Sequence, residues 1–113
     1  MNKQRLAFNG HHGPSVCNYH IFQHQAQQYL VFEQLRDTTT SITNCIEHLI
    51  VNICQAKQLQ ESATRIFEYY PASLLGDQLL YEVRGVCLVE GEPRWFAPTR
   101  DEISLVKALV VPG

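Results

Sequence analysis

The sequence predicts an α+β fold. The expected architecture is a two-layer sandwich, a mostly antiparallel sheet with two helices on one face, in the order ββαβββα. Three observations lead there. Short segments rich in β-branched and aromatic residues alternate in polarity, as half-buried strands do. Two other segments carry a single apolar stripe at helical spacing, so each buries one side only. Turn-forming Gly, Pro, Asn and Asp fall between these segments at hairpin distances. A hairpin sheet with one-sided helices is satisfied most simply by two layers. A parallel α/β sheet is disfavoured because the strands alternate instead of reading as continuous apolar runs.

Taken in order, residues 1–14 read as a flexible N-terminal segment, since Asn9-Gly10-His11-His12-Gly13-Pro14 is all punctuation. Residues 15–113 form the single α+β domain. The first strand covers 15–23, with Cys17, Tyr19 and Ile21 inward and Asn18 and His20 on the other face. A polar connection over 23–28 leads to a second strand, 29–35, closing a hairpin. The helix over 41–59 is the clearest in the chain. With Ile42 at the origin and about 100° per residue, Ile46, Leu49 and Ile53 fall within about 40° of it, with Cys45, Ile50 and Ala56 at the margins. Its cap is Thr40 or Ser41, or else Asn44 in a box with Glu47.

A third strand over 64–70 is stopped by Pro71, and Leu74 and Leu75 follow in a connection. The fourth strand, 79–89, places Leu79, Tyr81, Val83, Cys87 and Val89 on one face and Glu82 and Arg84 on the other. Gly85 interrupts it, which signals a bulge or a close backbone approach. Glu90-Gly91-Glu92 turns into a short strand, 93–97. Thr99-Arg100-Asp101-Glu102 then opens a helix with a capping box, followed by a core stripe of Ile103, Val106 and Val110.

The succession Leu30-Val31-Phe32-Glu33-Gln34-Leu35, Thr40-Ser41-Ile42-Thr43-Asn44 with Glu47, Phe67-Glu68-Tyr69-Tyr70-Pro71 and Pro93-Arg94-Trp95 resembles a group of small bacterial proteins of unknown function. The resemblance spans residues 15–109 and implies a single domain. It implies no activity, cofactor or catalytic residue.

Composition narrows the function by exclusion. At 113 residues, 45% hydrophobic and 18% charged, the chain is long enough for one packed core. A net charge of -2, from 9 basic and 11 acidic side chains, offers no basic stripe for nucleic acid. No apolar run approaches the roughly 20 residues of a membrane span, and the first residues do not read as a secretory signal. Cys17, Cys45, Cys54 and Cys87 have no metal spacing and read as thiols of a reducing compartment, hence the cytoplasm.

Five histidines raise the question of a metal, but no spacing supports one, and no cofactor is expected. Cys45 and His48 are neighbours on one helix face, as a nucleophile and base would be, with nothing opposite to hold a substrate. The pairs Glu90/Glu92 and Asp101/Glu102 are explained by a turn and a helix dipole. Thr40, Ser41, Thr43 and Asn44 at the helix start are candidates for binding an anion or small molecule.

The sheet face away from the helices is the stronger candidate. It mixes aromatics with both charge signs, as protein contacts do, and Phe22, Tyr69, Arg84 and Trp95 are its interface candidates. The expected function is a non-enzymatic protein-interaction module with a protein partner, foremost a homodimer formed through this face or through a sheet edge. The alternative is a ligand-binding protein or enzyme with its pocket at the start of the long helix.

Overall fold

The computed structural model describes residues 3–10, 13–34 and 45–110. They form β1 (Lys3–Gly10), β2 (Gly13–His24), β3 (Gln27–Glu33), α1 (Ile46–Lys57), β4 (Thr64–Leu75), β5 (Gln78–Val89), β6 (Glu92–Phe96) and α2 (Arg100–Val110), with a 3-10 turn at Glu61–Ala63. The strands lie in chain order in one sheet. Neighbours are antiparallel except β3 and β4. That pair is parallel because its connection passes through a helix, which carries the chain back to the starting end of the sheet. The α+β class and the mostly antiparallel sheet agree with the sequence reading.

Three expectations are corrected. First, residues 3–10 are a strand and not a lead-in. Gln4, Leu6 and Phe8 are half-buried while Lys3, Arg5, Ala7 and Asn9 are exposed, a period of two. Leu6 stands opposite Cys17, and Leu6 and Phe8 pack on the core under α1.

Second, the helices do not share a face. Leu30 and Phe32 cluster with Ile46, Leu49, Ile50 and Ile53 of α1, whereas Tyr29 and Val31 cluster with Val106 and Val110 of α2. Successive residues of a strand point to opposite faces, so the helices cover opposite sides of the sheet. This buries β3 on both faces: Leu30, Val31 and Phe32 are each 0% exposed. At about 1.5–3 kcal/mol per large apolar side chain removed from water, these three residues are a large contribution to the core.

Third, Pro71 does not stop β4, which runs on to Leu75. The carbonyl of Tyr69 accepts from Gln34 N–H at 2.9 Å, so odd-numbered residues of β4 at this point turn their polar groups away from β5. The N–H that proline lacks would have pointed the same way, and the β4–β5 ladder loses nothing. The bulge at Ala72 follows at once, between Pro71 and Ser73.

The ends of the helices follow local rules. α1 begins after Cys45, which makes no side-chain cap, and ends on Gln58 in the left-handed region, with Leu59 N–H on the Cys54 carbonyl at 2.8 Å. Its buried arc holds Ile46, Leu49, Ile50, Ile53 and Cys54, rotated toward Ile50 and Cys54 from the arc expected around Ile42. α2 opens with the expected box: Glu102 N–H donates to Thr99 Oγ1 at 3.1 Å, and Thr99 N–H donates to Glu102 Oε1 at 3.0 Å. Gly85 is a close approach, because a Cβ there would collide with the Phe96 ring.

Candidate functional site

β4 and β5 outrun their neighbours. Among the described strands, β3 pairs with β4 only as far as Tyr69, and β6 pairs with β5 only from Gly85 onward. Residues 70–75 and 78–84 therefore form a two-stranded arm, about 20 Å long at roughly 3.3 Å per residue. Its tip is apolar: Leu74 and Leu75 are 66% and 67% exposed, and Leu80 is 38% exposed. Leu74 stands opposite Leu79 beside the Gly76-Asp77 turn.

The arm is rooted in a different cluster on each side. On the α1 side the Glu68 side chain is 0% exposed and accepts from Arg84 Nη2 at 3.0 Å and from the Gln34 amide. Burial pushes its carboxyl above the ordinary range, against the pull of Arg84 and Gln34. Its Oε2 has no hydrogen-bond partner among the described residues. The guanidinium of Arg84 lies 4.6 Å from the Tyr70 ring centre and 3.8 Å from that of Trp95. A buried carboxylate thus holds an arginine between two rings, and Trp95 remains 39% exposed.

On the α2 side Tyr69 and Tyr81 stack at 4.8 Å. A row of rings runs from Phe22 through Tyr29 and Phe67 to Phe96, with centres 5.0, 6.0 and 6.0 Å apart. Beside it His20 Nε2 meets Glu33 Oε2 at 2.8 Å. His20 and Asn18, expected on an open face, are buried instead, and His20 Nδ1 and Asn18 Oδ1 have no hydrogen-bond partner among the described residues.

A cavity of about 330 Å³ lies between β1 and the start of α1, lined by Leu6, Phe8, Cys45, His48 and Asn52 among others. The Cys45 thiol donates to the Asn9 carbonyl at 3.7 Å. The wall opposite Cys45 and His48, absent from the sequence reading, is β1. Among the described residues no three His, Cys, Asp or Glu side chains group as metal ligands. The four cysteines are free thiols, Cys17 and Cys54 buried, and burial first, then Cys45, pushes Cys17 up to about 11.

The four interface candidates are divided between the two faces. Tyr69 and Phe22 lie on the α2 side, Arg84 and Trp95 on the α1 side, and Phe22 sits at the end of the aromatic row on β2. Tyr69 stands at the root of the arm on one face, and Arg84 and Trp95 stand there on the other. Thr40, Ser41, Thr43 and Asn44 lie outside the described residues. Sequence reasoning missed Glu68, Tyr70 and Tyr81 as site residues, because the extent of the arm was hidden behind Pro71.

No helix among the described residues is long and apolar enough to cross a membrane. Comparison with protein-family models, with curated proteins and with solved structures finds no match.

Proposed function

We propose that the chain is a non-enzymatic, cytoplasmic protein-interaction module that joins a protein partner, foremost a second copy of itself, through the β4–β5 arm. The observation that carries this reading is the pair of leucines, Leu74 and Leu75, held two-thirds exposed at the end of a two-stranded projection. A lone hairpin is marginal in water, and exposed apolar side chains grouped on one are a docking feature more than a structural one. Tyr69, Arg84 and Trp95 at its root supply the aromatic and guanidinium groups that dominate contact energies. The net charge of -2 keeps nucleic acid out of the reading.

The test is light scattering during size exclusion, on the intact chain and on Leu74→Lys/Leu75→Lys. Association by the intact chain that the double variant loses, with its circular dichroism unchanged, is the expected result. Unchanged association in the variant would remove the leucine tip from the contact.

A second reading rests on the cavity at the start of α1, where Cys45, His48 and Asn52 face β1 across about 330 Å³. It assigns that space to a small ligand or anion. A thermal-shift panel of anions and nucleotides tests it, and a shift abolished by His48→Ala and Asn52→Ala would put this reading first.

A further inference from the structure

We propose that two copies of this chain pair edge to edge through the outer edge of β5, antiparallel about a two-fold axis at Tyr81. This rests on the self-association reading above and specifies its geometry.

The first argument is which edges are guarded. Proteins blunt exposed strand edges with proline, bulges, basic side chains or short length. β1 carries Lys3 and Arg5, both exposed. β6 has only five residues and includes Pro93 and Arg94. On the arm, the β4 strand carries Pro71 and a bulge. Residues 78–84 of β5 contain no proline, glycine, lysine or bulge. Their one arginine, Arg84, is turned onto Glu68.

The second argument is the direction of the backbone groups. Pro93 lies opposite Leu88 and has no N–H, so that pair does not exchange hydrogen bonds, and the odd residues Gly85, Cys87 and Val89 must face β6. The two-residue turns agree, closing on Val89 with Glu92 and on Leu75 with Gln78. Along the stretch that no described strand pairs on this side, Leu79, Tyr81 and Val83 therefore direct their N–H and C=O groups outward.

This parity restricts the pairing. Outward groups must meet outward groups, so a two-fold axis has to pass through a residue and not between two. Centring it on Tyr81 overlaps all of 78–84. Tyr81 then meets Tyr81 of the second copy, and Leu79 meets Val83 in both directions, so the three outward residues exchange bonds in full. The Leu79 and Tyr81 side chains form an apolar ladder continuous with the Tyr69–Tyr81 stack, and Val83 at its inner end is already buried in the cluster under α2. On the other face Leu80 meets Glu82 and Gln78 meets Arg84, with no like charges opposed.

The test combines mass with two local readouts. Tyr81→Cys is made in a Cys45→Ser/Cys87→Ser background, where the remaining native thiols are buried. A bonded antiparallel pair sets the two Cα atoms about 5.5 Å apart, within disulfide reach. Mild oxidation should yield a covalent dimer, while Leu80→Cys, whose opposite residue is Glu82, should not cross-link. In the unmodified chain, amide exchange at Leu79, Tyr81 and Val83 should slow by about tenfold or more as protein concentration rises through the dimerisation range. This second readout needs no variant to fold. A dimer by scattering without the cross-link and without that protection overturns the edge pairing and leaves self-association standing. A monomer at every concentration overturns both.

Discussion

Replacing Gly85 by alanine drives a methyl group into collision with the Phe96 ring. The ring has to leave, and its surroundings set the cost. It packs edge-on against Phe67 with centres 6.0 Å apart, and the Arg65 guanidinium lies 4.9 Å from its centre. Losing an aromatic pair costs about 0.5–1.5 kcal/mol and an exposed cation–π contact about 0.5–1 kcal/mol. With the strain of overpacking, Gly85→Ala should destabilise by about 2 kcal/mol. Phe96→Ala alone should cost a similar amount, about 2 kcal/mol, because the ring is only partly buried. In the Phe96→Ala background the clash is gone, and alanine in a strand outperforms glycine by about 0.5 kcal/mol through backbone entropy. Gly85→Ala should therefore change sign there, giving a coupling of about 2.5 kcal/mol in a double-mutant cycle. Urea unfolding followed by far-ultraviolet circular dichroism measures all four chains. Additive effects, within about 0.5 kcal/mol, would refute the claim that Phe96 is what excludes a side chain at position 85.

The β2–β3 turn holds Gln25 and Ala26 at φ 50° and 66°, and α1 ends on Gln58 at φ 56°. Ala26→Gly and Gln58→Gly should each stabilise by about 1 kcal/mol, read as a rise in melting temperature of roughly 4–8 °C. A disulfide-exchange reagent at neutral pH should label Cys45 and Cys87 in the folded chain and spare Cys17 and Cys54, as mass spectrometry of the labelled peptides would show. With Cys17 held up at about 11, the unfolded chain releases that proton first, so stability should fall as pH rises from about 9 to 11, and Cys17→Ala should flatten the slope. Glu68 is also raised, by burial. Its contribution is fully present below the ordinary carboxyl range and lost as pH rises through its folded value, so urea midpoints should show a downward component with rising pH that Glu68→Gln lacks.

Much of the sheet was legible because alternation and turn residues are local signals. The β2–β3 hairpin, α1, β5, β6 and the Thr99–Glu102 box all followed from them. β1 was missed because its inward residues, Gln4, Leu6 and Phe8, are interleaved with Lys3 and Arg5 and run into a glycine-proline segment. The placement of α2 was not legible from α2 itself, since a one-sided helix says that it has a buried stripe but not which side of the sheet receives it. A signal did exist elsewhere: Tyr29-Leu30-Val31-Phe32 is an unbroken apolar run, the mark of a strand covered on both faces. The arm was hidden because Pro71 reads as a stop unless the direction of its missing N–H is known. The clusters at its root join Gln34 to Glu68 and Arg84 to Trp95 across separate strands, and no spacing in the sequence encodes such meetings.

Among the described strands, the single parallel joint separates two meanders, β1–β2–β3 and β4–β5–β6, each followed by its own helix. Each meander closes through short-range hairpins, whereas the seam between β3 and β4 joins Gln28 to Thr64 and Glu33 to Tyr69 across the full length of the crossover. Local pairings form quickly and distant ones slowly, so assembly of the two halves along that seam is the step expected to set the pace of folding.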